Sequence, residues 1–143
     1  MKDNITKLSS KTLESLGIDS RYPMREAWGY YKGSQLQGYI VLDSKGKDLY
    51  IDFIKVFKPS SKISLALYKK AMSRGKALGK SFVTSFPDTE NQLKLGKILK
   101  FHKRQGFKVR LDKFDIDEIK SGDLTLEELE TGDRLSTWEL KLK

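Results

Sequence analysis

Cysteine is absent from the 143 residues, and histidine occurs once, at His102. Without a thiol there is no disulfide and no thiolate nucleophile, and one imidazole leaves a structural zinc site without a ligand set. No metal is therefore expected. No apolar run is long enough to span a membrane, and no secretory pattern opens the chain. The expectation is a cytoplasmic protein with no membrane partner. Internal repeats, low-complexity tracts and composition breaks are also missing, so the reading is a single domain over residues 1–143, long enough for a real core.

Charge is plentiful: 33% of residues are charged and the formal net charge is +9. It is unevenly spread. From Phe53 to Leu111 there are 15 Lys or Arg against Asp88 and Glu90. From Asp112 to Asp133 there are nine acids against Lys113 and Lys120, which reads as an acidic insertion at about 112–133. A basic body attracts a phosphate-bearing ligand, nucleic acid or an acidic protein. The plainer reading is that these lysines are the solvated outer faces of two helices. Nucleic acid, through Lys69, Lys70, Arg74, Lys97, Lys100 and Arg104, ranks last, because no helix-turn-helix or RNA-recognition motif is present.

Hydrophobic spacing divides the chain into alternating elements. Asn4–Leu8 reads as a strand, and a short helix starts at Ser9 and is limited by Gly17 and Pro23. Arg25–Lys32, Leu36–Leu42 and Leu49–Phe57 form an antiparallel meander with turns at Gly33-Ser34 and Ser44-Lys45-Gly46-Lys47. The third of these strands is apolar on both faces, with Leu49, Ile51 and Phe53 on one side and Tyr50, Ile54 and Val56 on the other. Asp52 falls on the second face. A carboxylate there is either desolvated, with a raised pKa, or paired with a nearby Lys.

A helix of about Ser61–Leu78 follows, with Ile63, Leu67, Ala71 and Leu78 as its inner stripe and Gly79 as its stop. Ser81–Phe86 is a strand. Thr89-x-x-Gln92 is a capping box that starts the next helix near Glu90. Its apolar positions Leu95, Ile98 and Leu99 carry His102 onto the core side. Lys103 and Arg104 suit the helix C-terminus, Gly106 suits a left-handed cap, and Phe107–Leu111 alternates as a strand. The acidic insertion shows one helical signal, Thr125–Glu130, and Leu135–Leu142 is the last strand. A strand–helix–strand crossover makes Leu49–Phe57 and Ser81–Phe86 parallel neighbours. Helices on both faces of a mixed sheet give a three-layer α/β domain.

This order, and the run from Val83-Thr84-Ser85-Phe86-Pro87 through Asn91 to Lys100-Phe101-His102-Lys103-Arg104-Gln105-Gly106-Phe107, resembles the GNAT superfamily of acyl-CoA-dependent N-acyltransferases. The resemblance implies a GNAT-like fold in which the central strand and its parallel neighbour splay around the pantetheine arm of acetyl-CoA. The matching positions imply backbone bonds to that arm from Ile54, Lys55 and Val56, and a cofactor contact from Asn91. Asp52 matches the family's amine-deprotonating carboxylate, and His102 stands where many members carry the Tyr that protonates the leaving thiolate. A buried, hydrogen-bonded core histidine is the reading of His102 that ranks above catalysis. Ser60, Ser61 and Lys62 stand in the pyrophosphate loop, where the family's glycines bring backbone N–H groups to the phosphates. Here the loop has no glycine and is about two residues short.

A shortened N-terminus and a Lys/Ser-rich loop also resemble small GNAT-like proteins of short-tailed phages. The implied function is an acetyl-CoA-dependent N-acetyltransferase with a small-molecule or protein amine as acceptor. The alternative is a catalytically inactive GNAT-like structural or binding protein, such as a phage virion component or a factor that binds an acidic protein. Its place would be the host cytoplasm or the virion.

Overall fold

A computed structural model describes residues 3–19, 21, 24–89 and 92–143, with the backbone alone at 92 and 93. Pro23, Glu90 and Asn91 therefore lie outside the described residues, and with them the expected contact from Asn91 and the expected helix start near Glu90. The strands form one mixed, seven-stranded sheet in the order β1-β2-β3-β4-β5-β7-β6. The chain clusters into two compact units, Met1–Val83 with Leu142–Lys143, and Thr84–Lys141.

The first unit holds β1 (Asp3–Lys7), α1 (Ser10–Ser15), β2 (Arg25–Lys32), β3 (Gln35–Asp43), β4 (Leu49–Val56) and α2 (Ser61–Ala77). The meander is antiparallel throughout, as expected. The Ser9 hydroxyl caps α1 by accepting from the Thr12 N–H at 3.2 Å. Leu13 of α1 then buries against Ala27, Tyr39 and Val41, with Leu8 and Ile18 completing that cluster. On the other side of the meander, α2 buries Leu67, Tyr68, Ala71 and Gly75. The two helices thus cover opposite faces.

The inner stripe of α2 differs from the expected one at its end. Leu78 is exposed, because the helix stops at Ala77 and Leu78 serves as its C-cap. Gly75 takes its place in the stripe. A Cβ there would come within 2.6 Å of the Leu142 side chain, so α2 rides close to the sheet at this point. Gly79, at φ 71°, closes the helix, and the Lys80 N–H reaches back to the Gly75 carbonyl at 2.9 Å.

The second unit takes the end of β5 (Phe82–Ser85), then α3 (Gln92–Arg104), β6 (Lys108–Val109), α4 (Lys113–Ser121), α5 (Leu126–Thr131) and β7 (Trp138–Lys141). Leu95, Leu99 and His102 form the buried stripe of α3, as the spacing predicts. Gly106 has φ 98°, and the Phe107 N–H bonds the His102 carbonyl at 3.0 Å, which ends the helix and turns the chain into β6.

Two expectations are corrected here. The strand from Phe107 is only two residues long, because Asp112 opens a helix instead of extending the ladder. The acidic insertion carries two helices, not one. Besides α5, capped by Thr125 and Glu128, it forms α4, capped by a reciprocal pair of bonds between Asp112 and Asp115. The signal for α4 was present as Asp-x-x-Asp ahead of Gly122, but high local charge masked it as loop.

Candidate active site

Asp52 owes its position to a slip in the β3–β4 register. Val41 faces Phe53, and Leu42 faces Ile51, so Asp52 is the extra residue of a β-bulge. A bulge resets the alternation of side chains. Leu49 and Ile51 before it share a face with Ile54 and Val56 after it, and Tyr50 and Asp52 share the other with Phe53. The expected partition, with Phe53 beside Ile51, is thereby corrected. Tyr50 and Phe53 are exposed, so β4 is not covered on both faces along its length.

The partner of Asp52 is Arg25 of β2, which donates to its carboxylate in a half-buried ion pair. No lysine is involved. Pairing with a guanidinium keeps the carboxylate oriented and offsets its partial desolvation. Beyond the bulge, Ile54 pairs with Ile40, Lys55 with Tyr39 and Val56 with Gly38. Ile54 and Val56 are half-buried, and Lys55 is exposed.

The loop after β4 ends in a helix cap. The Ser60 hydroxyl accepts from the Ile63 N–H at 3.3 Å, so its side chain is committed to α2. Ser61 and Lys62 form the first turn of that helix, where amides without intrahelical acceptors and the helix dipole favour an anion. Lys62 extends its ammonium to Asp3 at 3.3 Å, and the Tyr30 hydroxyl donates to the same carboxylate. The Tyr30 bond, and then Lys62, hold the Asp3 carboxyl below its usual range, and Asp3 in turn raises Lys62.

His102 lies in the second unit and is 1% exposed. Its Nδ1 is 2.9 Å from the Ile98 carbonyl, one turn back on α3. A carbonyl only accepts, so Nδ1 carries the proton. Nε2 is then the lone-pair nitrogen and accepts from the Ser85 hydroxyl at 3.0 Å. The rings of Phe107 and Trp138 approach edge-on at 5.1 and 6.2 Å. Burial lowers the pKa of this imidazole, only partly opposed by the Ile98 carbonyl, so it is neutral near pH 7.

The neutral imidazole keeps its N–H on the Ile98 carbonyl and turns its lone pair to Ser85. What it does in this geometry is orient the Ser85 hydroxyl at the end of β5. Ser85 did not emerge from the sequence. It stands 17 positions from its partner, and a serine at a strand end carries no spacing signal. Among the described residues, no group of three or more His, Cys, Asp or Glu is placed to hold a metal ion, and no helix is long and apolar enough to cross a membrane.

This arrangement of a meander, a crossover helix, a short strand and a helix closed by Gly-Phe is the fold of the GNAT N-acetyltransferases. The chain is similar to the IAA acetyltransferase of Bacillus cereus ATCC 14579, with a TM-score of 0.65 and 17% identity over 99% of this chain and 100% of that one. It is similar in the same degree to the PaiA N-acetyltransferase of Thermoplasma acidophilum, solved with coenzyme A, at a TM-score of 0.65 and 18% identity over 99% of each chain. The ribosomal-protein-S18-alanine N-acetyltransferase of Escherichia coli matches at 0.59 and 11% identity, over 77% of this chain and 80% of that one. No protein-family model and no curated protein sequence matches the chain.

Proposed function

We propose that this protein transfers an acetyl group from acetyl-CoA to the amine of a small molecule or a protein. The observation that carries the reading is the likeness over 99% of the chain to whole acetyltransferases, one of them holding coenzyme A. When bound, acetyl-CoA supplies the activated acyl group. Ile54, Lys55 and Val56 would hold its arm through their backbone. The first turn of α2, Ser61 and Lys62, receives its phosphates, while Ser60 holds that turn in shape. Without a glycine the approach is less close, and Lys62 contributes charge instead.

Asp52 is the base in this reading. Asp52 would take the proton that the acceptor amine gives up as it is acetylated, with the thiolate of coenzyme A as the leaving group. Arg25 keeps that carboxylate aimed. His102 is a positioning residue that fixes Ser85, and the thiolate leaves without a proton from it. Calorimetry with acetyl-CoA tests the first step, and absence of heat at millimolar cofactor overturns the reading. With a panel of amines, Asp52→Asn is expected to lower kcat about a hundredfold or more and to leave the heat of cofactor binding unchanged.

A further inference from the structure

On the reading of Asp52 as the base, on which this rests, we infer that the acceptor is a monoamine with an aromatic ring close to its nitrogen. The ring seats on the bare phenyl rings of β4 while the amine meets Asp52. The bulge turns Asp52 to the same side of β4 as Tyr50 and Phe53, so two rings bracket the carboxylate. Phe53 stands opposite Val41, on the side of the sheet where α1 packs. That helix covers Ala27, Tyr39 and Val41 but leaves the β4 end of this side open. Tyr50 is 36%, Phe53 39% and Phe57 46% exposed. Tyr39, itself buried, meets both phenyl rings edge-on, with centroids 5.8 Å from Phe53 and 6.1 Å from Phe57. Rings backed in this way offer a further ring both apolar area and stacking or edge contact.

Charge narrows the class. The carboxylates on this side of the three strands are Asp52, held by Arg25, and Asp43, which accepts the Lys45 N–H at 2.9 Å. The further cation is Lys55, exposed between Phe53 and Phe57 and paired across the ladder with Tyr39. An amine at Asp52 therefore has its remaining atoms beside phenyl rings and one ammonium. A second ammonium on the acceptor meets Lys55, and like charges brought together oppose binding. Polyamines and other polycations are disfavoured, and an uncharged ring is the body that this surface fits.

Steady-state acetylation of 2-phenylethylamine, butylamine and spermidine, run beside calorimetry with acetyl-CoA, tests this. kcat/KM should be highest for phenylethylamine, by about tenfold over butylamine, and lowest for spermidine. Phe53→Ala should bring phenylethylamine to within about twofold of butylamine, mainly through KM, with the heat of acetyl-CoA binding unchanged. Phe53→Leu keeps apolar bulk against Tyr39 and should lose only part of the preference, and circular dichroism checks the fold of both variants. Heat with acetyl-CoA but equal rates for the three amines, or none, overturns the inference and leaves cofactor binding standing, as does a preference for spermidine. No heat with acetyl-CoA overturns the acetyltransferase reading and the inference with it. A preference for phenylethylamine that survives in Phe53→Ala overturns it too, because the ring is then held elsewhere.

Discussion

The two units handle polar groups in opposite ways. The first carries 17 Lys or Arg against seven acids; the second carries 11 against 12. In the first, the acids of interest are held by cations: Asp52 by Arg25, Glu26 by Arg74, and Asp3 by Lys62. In the second, the group of interest is a neutral imidazole sealed among rings, with a hydroxyl and a carbonyl as partners. Charge kept partly wet remains available for proton transfer. A neutral group kept dry is available mainly for packing and alignment. On the proposed function, that difference suits Asp52 to proton transfer and His102 to alignment.

The largest effect expected from this contrast is on stability. His102→Ala empties space beside Phe107 and Trp138 and leaves the buried Ser85 hydroxyl without a partner. It should cost about 3 kcal/mol in denaturant unfolding. Asp52→Asn, at a half-exposed ion pair, should cost about 1 kcal/mol or less while removing turnover. If the two variants exchanged these signatures, with His102→Ala fully stable but inactive, the contrast would be broken.

How much of this was legible beforehand follows the same division. Strand and helix order, the Gly79 and Gly106 stops and the inward position of His102 all rest on local spacing, which a sequence displays. The bulge at Asp52 does not. It arises from pairing with β3, and it alone decides that Asp52 shares a face with Phe53 rather than with Ile54. Arg25 as the partner of Asp52, and Ser85 as the partner of His102, are 27 and 17 positions distant, and no periodicity links them. The helix α4 has a capping pattern in the sequence, Asp112-x-x-Asp115, which the reading of this stretch as an acidic insertion with one helical signal passes over. Tertiary pairings, in short, set the chemistry that local patterns only nominate.

A smaller effect should appear in the pH dependence of stability, and it sharpens the comparison. The folded state depresses the pKa of His102, so the unfolded chain binds that proton more readily. Its contribution is complete above the unfolded value of about 6.5 and declines as pH falls below it towards the lower folded value. Glu26 behaves differently. Burial would raise its pKa, but the bonds from Arg74 and Trp28 outweigh burial and lower it. Its contribution is complete above the unfolded value of about 4.3 and is lost as pH falls further. Unfolding free energy should therefore drop in two stages on acidification. In His102→Gln the upper stage should vanish and the lower one remain. A single acid stage in the wild type would show that the imidazole is not held neutral.

The smallest structural effect and a measurable functional one should coincide at Lys62. Its ammonium is exposed and shares Asp3 with Tyr30, so losing it leaves a carboxylate that still has a donor. Lys62→Ala should leave unfolding midpoints unchanged within error, because exposed pairs of this kind contribute little. It should nevertheless weaken acetyl-CoA, by roughly threefold to tenfold, since a glycine-free helix start has this lysine as the cation of its first turn. Asp3→Asn separates the two roles. It frees Lys62 from its carboxylate, so affinity should hold or rise slightly, and calorimetry on the two variants should move in opposite directions. If both variants weaken binding alike, Lys62 serves the β1–α2 contact and not the cofactor, and the first unit's paired charges are then structural in the same sense as His102 is in the second.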